Sequence, residues 1–237
     1  MELSQTIGLF KNKKGLELGG LSRIFKQEGA LPIYTVAQTL DGCNFSSETL
    51  WEKGLVEGLN YKFYLDKVGT QFICEATRLE TKIQMHSYDF VISSNCLEHS
   101  ANPLLIIEKI LLVLKEEGLI LLVLPKKEVT FDHNREITTY EHLHSDYINA
   151  VGEDDLTHLN DILRLHDLRL DPPAGTSEQF KKRSLDNYKN RGLHQHVFDG
   201  NLLSQIFKEF DIKEICSKDI GSDYIIVGQK NNLEVNV

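Results

Sequence analysis

Short apolar runs separated by connecting segments recur through the first half of this 237-residue sequence. The run at 88–95 is nearly continuous and ends in small polar residues, and the run at 119–124 is wholly apolar. Continuous apolar runs are typical of strands that are buried on both faces, as in a parallel sheet covered by helices. Because these runs alternate with crossover segments, the sequence predicts a doubly wound α/β sheet.

The individual elements can be placed along the chain. Strands of the parallel part are predicted at 15–18, 33–37, 71–76, 88–95 and 119–124. A helix is predicted from Pro103 to about Glu117, with Asn102 as its N-cap and Gly118 as its C-cap. Further predicted elements are a short helix at 46–52, a helix at 201–210 and a closing hairpin at 212–217 and 224–227. The prediction is a Rossmann-like, mostly parallel seven-stranded sheet with a C-terminal antiparallel hairpin.

Residues 126–200 differ in character from this alternating part, because they hold seven of the nine histidines. The capping-box pattern at 138–141 predicts a helix on which His142 and Asp146 share one face. Asp155 is predicted to cap another helix that runs through Leu168. We interpret residues 1–237 as one domain and residues 126–200 as a largely helical, histidine-rich substrate-binding insertion after the fifth strand.

The first predicted strand ends in a glycine turn. Gly19 and Gly20 carry no Cβ, so a ligand can approach the main chain closely at this point. The turn lacks the later glycines of the dinucleotide fingerprint, which argues against a pyrophosphate ligand. S-adenosylmethionine fits better, since Glu17 could pair with its ammonium group and backbone N–H groups near Ser22 could meet its carboxylate.

Polar residues at the ends of the next strands extend this predicted cofactor site. Asp41 is placed at the end of the second strand, where one carboxylate can accept hydrogen bonds from both ribose hydroxyls. The alternative is that Asp41 simply belongs to a turn with Gly42. Glu75 and Ala76 at the end of the third strand are predicted to contact the adenine ring. Ser94 and Asn95 at the end of the fourth strand are the remaining predicted cofactor contacts.

Composition limits the partners and the compartment. The formal net charge of −9 is unfavourable for nonspecific nucleic-acid binding, which depends on Lys and Arg. The most apolar region, 104–125, is interrupted by charged residues and is not expected to span a membrane. The four cysteines form no CxxC pair and the N-terminus lacks the order of a signal peptide. We therefore expect a cytoplasmic protein with a small-molecule or glycan acceptor, and the oligomeric state stays open.

The sequence resembles the class I S-adenosylmethionine-dependent methyltransferases. The resemblance covers about the first half of the chain and the final hairpin, and it depends on five motifs in order. These are Leu16-Glu17-Leu18-Gly19-Gly20, Asp41, Glu75-Ala76, the 88–94 strand, and Leu97-Glu98-His99 with Asn102-Pro103 and the Leu-Lys-x-x-Gly before strand five. The glycine motif departs from the family pattern, because Leu21 and Arg23 stand at its later glycine positions.

The middle segment is similar to a bacterial subgroup of these enzymes that is linked to capsule and O-antigen biosynthesis. The runs that carry this similarity are 127–135, 141–143, 153–158 and 194–199. The resemblance implies O-methylation of a sugar or a related polar precursor, either a nucleotide-activated sugar or a surface polysaccharide unit.

A sugar hydroxyl is a weak nucleophile, and a neutral imidazole with a pKa of about 6.5 can take its proton. His133 is the first choice for this base, because it follows the fifth strand directly. His99 follows the fourth strand and is the second choice. The remaining candidates are His142, His194 and His196. A purely structural role is the alternative for each of these histidines.

Other interpretations stay open. His133, His142, Asp146 and the His194/His196 pair could hold a divalent metal, but their spacing matches no standard pattern, so no metal is predicted. Arg183 and Arg191 could meet the phosphates of a nucleotide-activated sugar, although the basic run is more simply a solvated face. The alternative functions are a nicotinamide-dependent sugar-modifying enzyme and a catalytically inactive protein that only binds the cofactor.

Overall fold

The computed structural model describes residues 2–232, which form one mixed sheet with helices on both faces. Its eight strands, numbered in chain order, are β1 (Lys14–Leu18), β2 (Thr39–Asn44), β3 (Gly58–Tyr64), β4 (Lys67–Ile73), β5 (Tyr88–Ser94), β6 (Leu114–Pro125), β7 (Ile212–Ile220) and β8 (Asp223–Lys230). They lie in the order β3-β4-β2-β1-β5-β6-β8-β7. The predicted α/β fold and its closing hairpin are confirmed, and the strand count of seven is one too low.

Strands β4, β2, β1, β5 and β6 are parallel, while β3, β8 and β7 pair antiparallel with their neighbours. Chain order runs outward in opposite directions from the β1–β5 pair. In an open parallel sheet, ligands bind outside the carboxyl ends of the strands at such a switch point. The carboxyl ends of β1 and β5 therefore mark where a ligand crevice is expected.

The helices are α1 (Leu3–Gly8), α2 (Ile33–Val36), α3 (Pro103–Val113), α4 (Tyr140–Ile148), α5 (Leu159–Leu165), α6 (Ser177–Leu185), α7 (Asn187–Asn190) and α8 (Gly200–Glu209). Within residues 2–232, none of them is long and apolar enough to cross a membrane. Helices α3 and α8 cover one face of the sheet, and α1 and α2 cover the other.

Strand β6 shows why the central runs are continuously apolar. Ile120 and Leu122 pack into the layer that contains α3 and α8, whereas Leu121 and Val123 pack into the layer on the opposite face. Successive side chains of a strand point to opposite faces, so a strand with two covered faces needs apolar residues at every position.

The predicted second strand is wrong. Residues 33–36 form α2, and β2 begins only at Thr39. Ile33 and Tyr34 are fully buried, and the Tyr34 ring packs edge-on against Phe63 at a centroid distance of 6.3 Å. The apolar residues that suggested a strand are therefore used by a short helix that covers the sheet.

The predicted helix at 46–52 is also wrong, since this segment consists of bends with one isolated bridge between Glu48 and Lys53. The Thr49 hydroxyl accepts hydrogen bonds from the backbone N–H groups of Trp51 and Glu52 at 3.2 and 2.8 Å. Such local bonds compete with helix formation. The following residues supply β3, the edge strand that the sequence did not reveal.

Helix α3 begins as predicted, because the Asn102 side chain accepts from the Leu105 N–H at 3.1 Å and Pro103 occupies the first turn. It ends at Val113, four residues before the predicted end. Leu114 is already extended and pairs with Tyr88, and Glu117 adopts a positive φ of 57°. Gly118, the predicted C-cap, therefore lies inside an irregular start of β6.

The segment between β6 and α8 is largely helical, as expected. Helix α4 carries the predicted His142–Asp146 pair, with Nε2 and Oδ2 3.2 Å apart, although its N-cap is Thr139. Helix α5 starts later and ends earlier than predicted. Its N-cap is His158, while the Asp155 carboxylate accepts hydrogen bonds from Thr157 in the preceding turn.

Candidate active site

A cavity of about 700 Å³ opens at the carboxyl ends of β1, β2, β4 and β5. Its walls combine strand-end residues with side chains from the loops that precede α2 and follow α4, and from the β7–β8 turn. Among the predicted cofactor contacts, those that line it are Gly19, Gly20, Ser22, Glu75, Ala76, Ser94 and Asn95. The structure thus brings most of the predicted cofactor residues to one surface, at the switch point of the sheet.

The glycine turn is fixed by backbone and side-chain hydrogen bonds. Gly19 has a positive φ of 76° and its N–H donates to the Cys43 carbonyl at 2.9 Å. The Asn44 amide donates to the Gly20 carbonyl at 3.3 Å. A Cβ on Gly20 would lie 2.2 Å from both Glu17 Cδ and Tyr61 Oη. Glycine is therefore required here by close packing under the turn.

Glu17 lies beneath the turn and is fully buried. Its Oε2 accepts hydrogen bonds from the hydroxyls of Tyr34 and Tyr61 at 2.7 and 2.6 Å, and its Oε1 accepts from the Ser22 N–H at 3.0 Å. Burial raises the pKa of Glu17, and these hydrogen bonds partly offset the rise. The structure does not bring this carboxylate to the cavity wall; it holds the turn in place.

Asp41 lies in the middle of β2, opposite Leu16, and not at the strand end where it was placed. Its carboxylate accepts from the Tyr88 hydroxyl and the Thr70 N–H, both at 2.7 Å. Asp41 is outside the cavity, because the shift of the second strand moved the strand end to Asn44. Asn44 and the adjacent Phe45 line the wall at this position.

A charged bridge that the sequence analysis did not find closes one side of the cavity. Arg191 is buried and donates to Glu75 Oε1 at 2.6 Å and to Glu153 Oε2 at 2.7 Å. Burial raises the pKa of Glu75, while the Arg191 charge opposes the rise. No local pattern in the sequence indicates this bridge, since its partners are far apart in sequence. Arg183, by contrast, pairs with Asp171 and does not line the cavity.

Of the five candidate bases, only His99 lines the cavity. Its Nδ1 lies 3.0 Å from the Leu193 carbonyl, which can only accept, so the neutral ring carries its proton on Nδ1. Burial lowers the pKa of His99 to about 3. The Trp51 ring stands edge-on at a centroid distance of 5.0 Å and is itself 60% exposed at the rim. The His99 ring is therefore neutral, with Nε2 unprotonated and 4.0 Å from the buried Glu98 Oε1.

The other four candidates lie elsewhere. His133, the first choice from position, pairs with Asp167 at 3.1 Å outside the cavity. His194 Nδ1 lies 2.5 Å from Asp132, behind His99, with a ring-centroid distance of 4.7 Å between the two imidazoles. His142 and His196 belong to a separate cluster with Asp146. Proximity in sequence to the fifth strand did not predict which histidine reaches the cavity.

The methyltransferase domain family matches residues 38–122, about a third of the chain. A search of curated proteins gave no match. A SAM-dependent methyltransferase from Aquifex aeolicus is 13% identical, covers 96% of this chain and 87% of its own, and has a TM-score of 0.51.

Two further solved structures are similar. A SAM-dependent methyltransferase from Methanosarcina mazei is 15% identical with a TM-score of 0.50, and the alignment covers 98% of this chain and 99% of that one. A chain in the complex that contains the Trm112 methyltransferase activator of Haloferax volcanii is 9% identical, with a TM-score of 0.52 and coverages of 97% and 88%. At these identities the structures establish the fold alone.

These findings do not favour a nicotinamide-dependent enzyme, and the glycine turn carries Leu21 and Arg23 where the dinucleotide fingerprint has its later glycines. The matched residues include β2, β4 and β5, three of the four strands whose ends form the cavity. The domain match over residues 38–122 and the fold are both similar to those of S-adenosylmethionine-dependent methyltransferases.

Proposed function

We propose that this protein transfers a methyl group from S-adenosylmethionine to a hydroxyl of a sugar or a related polar precursor. The observation that carries the proposal is the position of His99. It is the one candidate base in the strand-end cavity, and it presents a neutral ring nitrogen. The glycan-precursor class also follows the sequence resemblance of the middle segment.

The cofactor would occupy the part of the cavity formed by the strand ends. Its methionine portion would lie on the Gly19–Gly20 turn, and its adenine on Ala76 next to Glu75. Ser94 and Asn95, at the end of β5, would then lie nearest to the sulfonium. S-adenosylmethionine supplies the methyl group and leaves as a neutral thioether; the protein provides binding and alignment.

The acceptor would enter on the side of Trp51 and the Arg191 bridge. A sugar presents apolar C–H faces and polar hydroxyl edges. The exposed Trp51 ring can cover such a face, and Glu153 and Arg191 can bond hydroxyl groups. Glu153 and Arg191 both come from 126–200, in agreement with a substrate-binding role for this segment.

In the reaction, the acceptor oxygen attacks the methyl carbon as the carbon–sulfur bond breaks, and the bonding pair stays on sulfur. The hydroxyl proton passes to Nε2 of His99. The Leu193 carbonyl holds the ring proton on Nδ1 and so leaves Nε2 unprotonated, 4.0 Å from Glu98 Oε1. Proton transfer of this kind contributes about 10²- to 10⁴-fold to the rate, most when the pKa of the base lies near the operating pH, so the low pKa of His99 places its contribution at the lower end.

Calorimetric titration with S-adenosylhomocysteine tests the cofactor site. We expect saturable binding to the wild type and at least about tenfold weaker binding, or 1.4 kcal/mol, to Ala76→Phe. The added ring fills the adenine surface. Val129→Phe is the matched control, since Val129 is 58% exposed and does not line the cavity. Absence of binding to the folded wild type would contradict the proposal.

Measurements of turnover test whether His99 acts as the base. Release of S-adenosylhomocysteine is measured with a panel of nucleotide-activated sugars and surface polysaccharides. His99→Gln should lower kcat by about 10²-fold or more and keep cofactor affinity. His133→Gln is the control, because His133 lies outside the cavity. Equal loss in both variants, or activity unchanged in His99→Gln, would refute this role.

A further inference from the structure

Three histidines and one aspartate converge in a cluster away from the cavity. It comprises His142 and Asp146 on α4, His158 at the N-cap of α5, and His196 on the segment before α8. One nitrogen or carboxylate oxygen from each lies within 4.8 Å of the others. None of these four residues takes part in the proposed methyl transfer.

The separations within the cluster suit a metal ion. His142 Nε2 lies 3.2 Å from His158 Nε2 and 3.2 Å from Asp146 Oδ2, and His196 Nε2 lies 3.8 Å from the same oxygen. Zinc–nitrogen and zinc–oxygen bonds of about 2.0–2.1 Å in a tetrahedron place neighbouring ligand atoms about 3.3 Å apart. Small side-chain movements would therefore complete the coordination.

Hydrogen bonding does not account for the arrangement. Asp146 Oδ2 is buried and has no hydrogen-bond partner among residues 2–232, although two imidazoles approach it. His196 is 1% exposed. Its Nε2 lies 3.3 Å from the Ala101 carbonyl, which is long for a hydrogen bond, and metal binding could replace this contact. A buried carboxylate oxygen without a donor is expected to have another partner.

We propose that His142, Asp146, His158 and His196 bind one Zn²⁺ ion. Three imidazole nitrogens and one carboxylate oxygen favour zinc over Mg²⁺ and Ca²⁺, which prefer shells of oxygen ligands. Four protein ligands fill a tetrahedron, which is typical of a structural zinc site. The exposed His142 ring gives the ion a path from solvent.

The ion would join three separate parts of the insertion. The turn before α5 and the segment at 194–197 are already joined by the hydrogen bond from Gln195 Nε2 to the Asp155 carbonyl at 3.1 Å. The last segment also contacts the residue before His99, because the N–H groups of Gln195 and His196 donate to the Glu98 carbonyl at 2.7 and 3.3 Å. Zinc would therefore fix the insertion next to the residue that precedes His99.

Metal titration of the full chain tests this. Protein stripped with EDTA is titrated with Co²⁺, whose visible absorption reports tetrahedral coordination, and Zn²⁺ is then added in competition. We expect one Co²⁺ per chain, displaced by one equivalent of Zn²⁺. His142→Ala should weaken Zn²⁺ binding by at least about tenfold, because even outer-shell changes have effects of this size. Asp146→Asn should do the same.

His144→Ala is the matched control, since His144 is exposed on the same helix and stacks on Tyr140 away from the cluster. It should leave the affinity unchanged. Circular dichroism verifies that each variant is folded. No stoichiometric metal on the folded wild type would overturn the proposal. Equal Zn²⁺ affinities of His142→Ala and His144→Ala would also overturn it. Loss of Zn²⁺ binding only in His99→Ala would overturn it too, because it would place the ion at Glu98, His99 and His194. These readouts do not depend on methyl transfer.

Discussion

Gly20→Ala tests the packing beneath the glycine turn. The new Cβ would meet Glu17 Cδ and Tyr61 Oη at 2.2 Å, whereas ordinary contacts begin near 3.4 Å. Both obstructing groups are buried and hydrogen-bonded to each other at 2.6 Å, so neither can move without cost. The substitution must displace the Glu17 carboxylate, the Tyr61 hydroxyl or the turn itself.

The size of the effect follows from two contributions. Overpacking a buried site destabilises by about 1–3 kcal/mol. Loss of one hydrogen bond to a buried carboxylate adds about 1.5–3 kcal/mol. We expect the free energy of unfolding of Gly20→Ala to fall by about 3–6 kcal/mol. Affinity for S-adenosylhomocysteine should fall too, since Gly20 lines the cavity.

Urea denaturation measures the loss. Gly8→Ala is the matched control: a Cβ on Gly8 meets nothing within 4 Å, so stability should stay the same or rise by up to about 1 kcal/mol. Tyr61→Phe removes one of the two obstructing groups. Its destabilisation should therefore be smaller in the Gly20→Ala background than alone. A Gly20→Ala midpoint equal to that of the wild type, or strict additivity with Tyr61→Phe, would refute the reasoning.

Three further predictions concern the insertion. Arg135→Leu should lower the free energy of unfolding by about 3–5 kcal/mol, because it leaves the buried Asp132 carboxylate without its guanidinium. The control Arg164→Leu removes an exposed ion pair and should change the free energy of unfolding by less than about 1 kcal/mol. Urea denaturation compares the two variants. Burial raises the pKa of Asp132, but hydrogen bonds and charges outweigh this and hold it below its ordinary 3.8. Its stabilisation is thus present above pH 3.8 and is lost as the pH falls further, so Asp132→Asn should flatten the acid limb of the stability curve measured by denaturation. Leu143 is fully buried on α4, so Leu143→Ala should lower the stability by about 2–5 kcal/mol. Ile148 on the same helix is 66% exposed, so Ile148→Ala should lower it far less. Thermal unfolding measures both.

The sequence predicted the sheet where burial on both faces imposed a simple pattern. The runs at 88–95 and 119–124 became β5 and β6 because residues 90–92 and 119–124 pack alternately into two apolar layers. It failed where tertiary contacts overrode local preference. Ile33 and Tyr34 look like strand residues, but burial against aromatic side chains and the bond to Glu17 favour a helical turn.

The site was predictable at the level of strand ends and not at the level of individual partners. Ala76 and Asn95 reach the cavity because they follow β4 and β5, although β4 spans 67–73 and not the predicted 71–76. Asp41 was misplaced by the error in β2. The Glu75–Arg191–Glu153 bridge joins residues up to 116 positions apart, and no local pattern reports such a pairing. The large number of histidines in 126–200 did not indicate which imidazole ring lines the cavity.

The charge of the cavity bears on how cofactor and product would exchange. Its wall carries two guanidinium groups and four carboxylates: Arg23, Arg191, Glu52, Glu75, Glu153 and Asp223. S-adenosylmethionine carries one positive charge more than S-adenosylhomocysteine, so an acidic wall favours the donor over the product. Burial raises the pKa of both Glu75 and Asp223. These carboxylates therefore gain protons at higher pH than usual, and the preference for the donor should weaken as the pH falls. Calorimetry with S-adenosylhomocysteine and a cationic donor analogue at two pH values measures this difference, and a ratio of affinities independent of pH would exclude a role for the wall charges.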